Sequence, residues 1–325
     1  MKRFFLALAA IAALQASAAD LRELARYAGV SESSLSAAVS QARVQPKIIA
    51  AMTRPSEAKP WWEYRKIFIT TSRIRAGVEF YLSHEEDLNR AYRTYGVPPE
   101  IVCAILGVET LFGRNMGSWR VLDALYTLGF NYPPREAYFS REFANFVKLC
   151  LRENWAVASV SGSYAGAMGM GQFMPSSYLD YAVDFNGDGR VNLFTDAADA
   201  IGSVANYFRG HGWLKDHGIY YPAHAPAAAA EELIARKWDL SVEELTAAGV
   251  TTKVTLSPGQ KVRLFKFELE DGSWGYAVGL NNFNAIMRYN TSPLYARAVY
   301  ELAEFIRMEY AKTRDDPSPP QGRLP

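Results

Sequence analysis

The sequence predicts an α+β protein that is mainly α, and three observations carry that class. Apolar residues recur at helical spacing through most of the chain up to residue 155 and again from Phe283 to Met308. Clusters of Gly and Pro punctuate those runs, and one stretch near 250 to 280 changes to strand-like alternation. With 325 residues, 49% of them apolar and 21% charged, the chain is long enough for two or three domains and too hydrophobic to be disordered. Thirty-five Lys plus Arg against 34 Asp plus Glu leave no basic field, which argues against a nucleic-acid partner. Aromatic residues, 13% of the chain, supply flat apolar faces that suit sugars as well as cores.

Met1-Lys2-Arg3, the short apolar run Phe4 to Leu14 and the small residues Ala16-Ser17-Ala18 predict a cleavable signal peptide over 1–18. The run is too short to span a bilayer. Without Lys2 and Arg3 the mature chain has 33 basic and 34 acidic residues, and no cysteine precedes Cys103 to take a lipid, so no membrane anchor is expected. Residues 19–98, with part of 130–160, read as a helical domain. Leu21 to Ala51 forms short helical pieces, and Thr71 to Tyr95 forms one long helix carrying Ile74, Val78, Tyr81, Leu82, Leu88 and Ala91. Gly96, Pro98 and Pro99 then close that helix and open another, from Pro99 to Phe112, because proline fits a first turn but not an interior. This second region is expected to run over 99–215. Within it, 120–155 is helical with an interruption at Asn131-Tyr132-Pro133-Pro134, and Gly162 to Ser177 is rich in small residues that permit close backbone approach.

Residues 216–280 read as a small β-rich domain entered through the Pro- and Ala-rich stretch Tyr221 to Ala230. Val262 and Leu264 alternate with charge, then Phe265, Phe267 and Leu269 alternate in the opposite phase, which predicts a bulge. Asp271-Gly272 signals a hairpin turn. Helix returns over 281–312, and the Pro-rich tail 313–325 is expected to lack order. No internal repeat is evident.

Glu109 stands near the C-terminal end of the almost wholly apolar helix that starts at Pro99. The negative end of the helix dipole and apolar neighbours both disfavour its charged form, so its pKa should rise toward the value a general acid needs. Asp123, the nearest other carboxylate, lies among Val121, Leu122, Leu125 and Tyr126 and reads as a first-turn residue. Cys103 and Cys150 are the only cysteines and sit in apolar helical patterns, so a buried free pair is the favoured reading and a single disulfide between them, in an oxidising compartment, the alternative. The four histidines lack zinc-type spacing. Asp184, Asn186, Asp188 and the carbonyl of Arg190, with Gly189 at the sixth position, match the start of an EF-hand loop, although Thr195 stands at the twelfth.

Four motifs in order carry a resemblance. Gly96-Val97-Pro98-Pro99-Glu100 with Gly107-Val108-Glu109-Thr110 and Phe112-Gly113, then Gly166 to Ser177, Ala200 to Phe208, and Asn281-Asn282-Phe283 with Arg288-Tyr289-Asn290 resemble the lytic murein transglycosylase B family over nearly all the mature chain. The resemblance implies a lysozyme-like core over 99–215, completed by 281–312, a periplasmic location, and peptidoglycan glycan strands as substrate. It further implies cleavage between N-acetylmuramic acid and N-acetylglucosamine with a 1,6-anhydro product, Glu109 acting as both acid and base. Ser163 and Gln172 would hold the acetamido group, and Tyr207 and Tyr289 would line the cleft. Asn284 stands where the family often has Tyr. The family closes its longer cation loop with a later Asp, here Asp199, with Asp196 as the alternative, which makes Ca2+ the expected cofactor. The rival functions are a muramidase on the same scaffold and a non-catalytic peptidoglycan-binding protein, against which an intact Glu109 argues.

Overall fold

The computed structural model describes residues 18–53 and 59–313. The expected signal peptide and tail, apart from Ala18 and Thr313, lie outside the described residues. Contacts divide the chain into two units, each assembled from separate stretches. Of the described residues, one takes 18–53, Gly117–Met168 and Phe173–Leu179; the other takes 59–116, Gly169–Gln172 and 180–313. The stretch 19–98 is thereby shared between the two units. Helix Thr71–Ser83 packs on helices Pro99–Thr110 and Pro293–Thr313 of the second unit, and Gly77 makes room, since a Cβ there would lie 2.5 Å from Ile306 Cδ1.

In the first unit, helices Ala18–Ala28, Glu32–Gln41 and Pro46–Met52 pack on Val121–Asn131 and Glu136–Glu153. Leu35, Phe139, Phe143 and Phe146 are fully enclosed, and Phe130 meets Phe143 edge to face at 5.5 Å. Asp123 occupies the first turn of its helix and accepts Arg43 N–H at 3.0 Å and Gln45 Nε2 at 3.2 Å, with Arg120 at 3.3 Å. That buried carboxylate thus pins the extended chain between two helices. A short ribbon pairs Trp119–Arg120 with Ser161–Gly162. At Gly162 a Cβ would fall 2.2 Å from the Ala167 carbonyl oxygen, so only glycine admits this turn.

In the second unit the expected helix over 71–95 is two helices, Thr71–Ser83 and Glu85–Tyr95, which meet at His84. Glu85, Glu86 and Asp87 favour a helix start, where the dipole is positive, over a helix middle. Leu82 faces solvent as a result, whereas Val78, Tyr81, Leu88 and Ala91 are buried. Five antiparallel strands run in the order Leu240–Ser241, Lys261–Glu268, Trp274–Gly279, Tyr220–His224, Thr251–Thr252. The expected bulge is absent: pairing from Arg263↔Gly279 to Glu268↔Trp274 is continuous. The change of phase has another cause, burial of both faces of one regular strand. Val262 and Leu264 join a core with Leu233, Leu240 and Leu245, while Phe265 and Phe267 turn the other way toward Phe283 and Trp61. After the sheet, Asn281–Tyr289 and Pro293–Thr313 are separate helices divided before Pro293.

Candidate active site

Helix Pro99–Thr110 is buried along its first nine residues and ends abruptly after Glu109. The end is a Schellman arrangement: Leu111 N–H reaches the Gly107 carbonyl at 3.2 Å and Phe112 N–H reaches the Leu106 carbonyl at 3.0 Å. Leu111 and Phe112 take φ of 52° and 59°, a left-handed pair without glycine, and Gly113 follows at 81°. Packing compensates for this strain. The Phe112 ring folds back over Gly107, where a Cβ would lie 2.7 Å from it, and stacks on Phe80 at 5.2 Å. Thr110 adds a lock, its hydroxyl donating to the Met170 carbonyl at 2.7 Å and accepting from Gly113 N–H at 2.9 Å.

Tyr295, buried in the first turn of Pro293–Thr313, donates its phenol to Glu109 Oε1 at 2.5 Å. Burial pushes the Glu109 carboxyl up to about 7, against the pull of that hydrogen bond. The phenols of Tyr295 and Tyr289 are held well above their ordinary range, first by burial and then by the Glu109 charge, so both stay protonated donors. Tyr289 donates to the Gly171 carbonyl at 2.6 Å, and Tyr207 to the Arg288 carbonyl at 2.7 Å. Their rings meet edge to face at 4.7 Å, and Tyr207 stacks on His211 at 3.9 Å. Gln172 has φ of 52° and places Nε2 3.1 Å from the carbonyls of both Met116 and Gly169. The second unit therefore contains Glu109, Gln172, Tyr207 and Tyr289. Ser163 belongs to the first unit, where its hydroxyl accepts Ala167 N–H at 3.0 Å. Asn284 lines an open cavity with Trp238, Asn281 and Lys261.

Sequence reasoning missed Tyr295. A signal was present, since Tyr295, Ala298, Val299 and Leu302 form a helical stripe behind Pro293, and a buried phenol needs a polar partner. Tyr295→Phe removes the bond that favours the carboxylate, so the Glu109 pKa should rise further. The alkaline limb of the activity profile is expected to move up by about 0.5–1 pH unit, a shift that corresponds to about 1 kcal/mol of lost hydrogen bonding. An unmoved limb would show that the phenol does not govern this proton.

The loop after Tyr181 gathers oxygen donors. Asp184 accepts the amides of Gly187, Asp188 and Gly189, and Asp188 accepts that of Arg190 at 2.9 Å. Asn186 Nδ2 donates to Asp196 at 2.5 Å, while buried Asp199 accepts Phe185 N–H at 2.7 Å and Asn192 N–H at 2.8 Å. Asp199 thus closes the loop through its backbone. The hard-oxygen set and Gly189 at φ 87° in the sixth position fit a calcium ion. Among the described residues no three His, Cys, Asp or Glu side chains converge as a metal cluster, and both cysteines are buried free thiols.

The model of the transglycosylase SLT domain family matches residues 13–304. The chain belongs to that family. This SLT-domain chain is 47% identical over 248 residues to the membrane-bound lytic murein transglycosylase B of Escherichia coli strain K12, covering 76% of its own length and 68% of the relative's. The solved catenated lytic transglycosylase SltB1 of Pseudomonas aeruginosa superposes with a TM-score of 0.85 at 46% identity, over 90% of this chain and 97% of that one. Slt35 of Escherichia coli, solved in complex with calcium, gives 0.81 at 41% identity over 90% and 93% of the two chains. The mainly helical, lysozyme-like α+β architecture expected from the sequence is the one these SLT-domain neighbours share. No helix among the described residues is long and apolar enough to cross a membrane.

Proposed function

We propose that this lytic transglycosylase acts on peptidoglycan strands outside the cytoplasm, cutting the bond between N-acetylmuramic acid and N-acetylglucosamine with Glu109 as its acid and base. The observation that carries the reading is the Glu109 carboxyl itself, raised to about 7 and oriented by Tyr295. Protonated, it donates to the departing glycosidic oxygen as the bond to the anomeric carbon breaks. The resulting carboxylate takes the proton of the sugar's 6-hydroxyl as that oxygen bonds to the same carbon. Carboxyl and phenol return to their starting states, no water is consumed, and the product is the 1,6-anhydro sugar. The substrate's own acetamido carbonyl stabilises the cationic intermediate, the part a second carboxylate takes in ordinary glycosidases. Tyr207 and Tyr289 supply the aromatic wall, and Gln172 the neighbouring amide. Mass analysis of muropeptides from digested murein tests this directly. Anhydro ends, lighter by one water than reducing ends, are expected; reducing ends would make the enzyme a muramidase, and uncut strands would make it a binder.

We further propose Ca2+ in the loop, held by Asp184, Asn186, Asp188 and the Arg190 carbonyl, with Asp199 closing it. Kinship with a calcium-bound relative and the donor set support this. Bound to the folded state alone, calcium at a hundred times its Kd stabilises by about 2.7 kcal/mol. A thermal midpoint several degrees higher in calcium than in chelator is expected, and equal midpoints would remove the ion from the account.

A further inference from the structure

The helix that carries Glu109 near its C-terminal end has a cavity at its other end, near Glu100. Nine residues at 1.5 Å each put these two carboxylates ~14 Å apart along the axis. The cavity measures about 240 Å³, and its walls are unusually rich in tyrosine and carboxylate, among them Tyr92, Tyr220, Tyr300, Glu100, Asp216 and Glu304.

One motif of the sequence, Asn281-Asn282, builds this wall. Asn282, fully buried, clamps the loop after Trp213: its Oδ1 accepts Leu214 N–H at 2.8 Å, and its Nδ2 donates to the carbonyls of Leu214 at 2.8 Å and His217 at 3.0 Å. Asn281 adds a bond to the Gly212 carbonyl at 2.6 Å. The clamped loop holds Asp216 in the left-handed region at φ 58°, where its carboxylate accepts the Tyr92 phenol at 2.6 Å at the mouth of the cavity. Opposite it, Tyr300 tilts against Tyr220 at 5.3 Å, one helical turn from Glu304.

The charges facing the space are Glu100, Asp216 and Glu304 on one side of the balance. On the other, Arg307 pairs with Glu304 at 2.8 Å, Arg297 stands 5.8 Å from the Tyr220 ring centroid, and Lys215 places its ammonium 4.8 Å from the Tyr92 ring centroid. Tyrosine faces attract cations through their quadrupole, and carboxylates complete the shell that an ammonium loses with its water. Tyr92 already receives one ammonium from within the chain. Burial, and after it the Glu304 charge, hold the Tyr300 phenol above its ordinary range.

We propose that this cavity is a second ligand site, which binds a primary ammonium group carried on a flexible aliphatic chain, as at the amine end of a peptide side chain. The proposal stands independently of the reaction assigned to Glu109. The test is calorimetric titration of the full chain with Nα-acetyl-lysine methylamide and, in parallel, with its uncharged analogue Nα-acetyl-norleucine methylamide and with N-acetylglucosamine. Saturable one-to-one binding of the lysine probe is expected, about tenfold or more tighter than either other probe. Asp216→Asn keeps the acceptor for Tyr92 and tolerates the left-handed backbone, and it should weaken the lysine probe about fivefold or more with an unchanged thermal midpoint. No binding of the lysine probe, equal binding of the norleucine probe, preferential binding of the sugar, or undiminished affinity in Asp216→Asn overturns the assignment.

Discussion

Glu109→Gln is expected to lower murein cleavage by about 10³-fold or more, because in the mechanism we propose one side chain carries both proton transfers and the amide can perform neither. The same substitution should make the protein more stable above neutral pH. The Glu109 carboxyl titrates near 7 in the folded chain and near 4.5 in the unfolded one, so the folded state binds the extra proton between those values. Stability therefore falls as pH rises through that window, and ionisation at pH 8 costs about 1–3 kcal/mol after allowance for the partial solvent access of the residue. Gln keeps the volume and a carbonyl for the Tyr295 phenol without that cost. Thermal midpoints of the two proteins should coincide near pH 4 and separate by pH 8, the variant being higher. Retained turnover would reassign the acid; equal midpoints at pH 8 would mean that the carboxyl is not desolvated.

The second large effect concerns a residue with no chemistry. Gly162→Ala is expected to destabilise the first unit by about 3 kcal/mol or more, since the added Cβ would lie 2.2 Å from a backbone oxygen and 2.9 Å from Val121 Cγ2. Backbone cannot swing aside as a side-chain end can. Urea unfolding followed by circular dichroism should show the midpoint falling. Gly187→Ala provides the contrast in space: nothing lies within 4 Å of its Cβ, so only the backbone penalty of φ 81° remains, about 1 kcal/mol. Equal midpoints for Gly162→Ala and the parent would show that the turn relaxes.

Much of this was legible in the residue order. The apolar run from Pro99 and the acid placed at its end foretold a carboxyl with a raised pKa, because burial and dipole are both set by neighbours in sequence. Asp123 was legible for the same reason, a first-turn acid being a local feature. The strand over 261–268 is legible in the sequence but its shape is not, since periodicity along one strand cannot separate a bulge from burial on both faces. That distinction belongs to what packs from elsewhere, here Phe283 on one side and Leu233 on the other. The helix break at His84 was readable in Glu85-Glu86-Asp87 and was outweighed by a continuous apolar stripe. Tyr295 was overlooked because its partner is 186 residues away. The grouping of 59–98 with the second unit depends likewise on contacts with the far C-terminal helix.

The first unit is threaded from three stretches of chain, the last of them Phe173–Leu179. During synthesis its opening helices must wait for Val121–Asn131 and Glu136–Glu153, the helices they pack on, and when the closing segment follows, much of the second unit's own sequence is still unmade. Neither unit can be cloned as one uninterrupted fragment. A deletion series cut from either end would therefore report on shared assembly, and independent expression of the Glu109 half would require re-splicing the gene rather than shortening it.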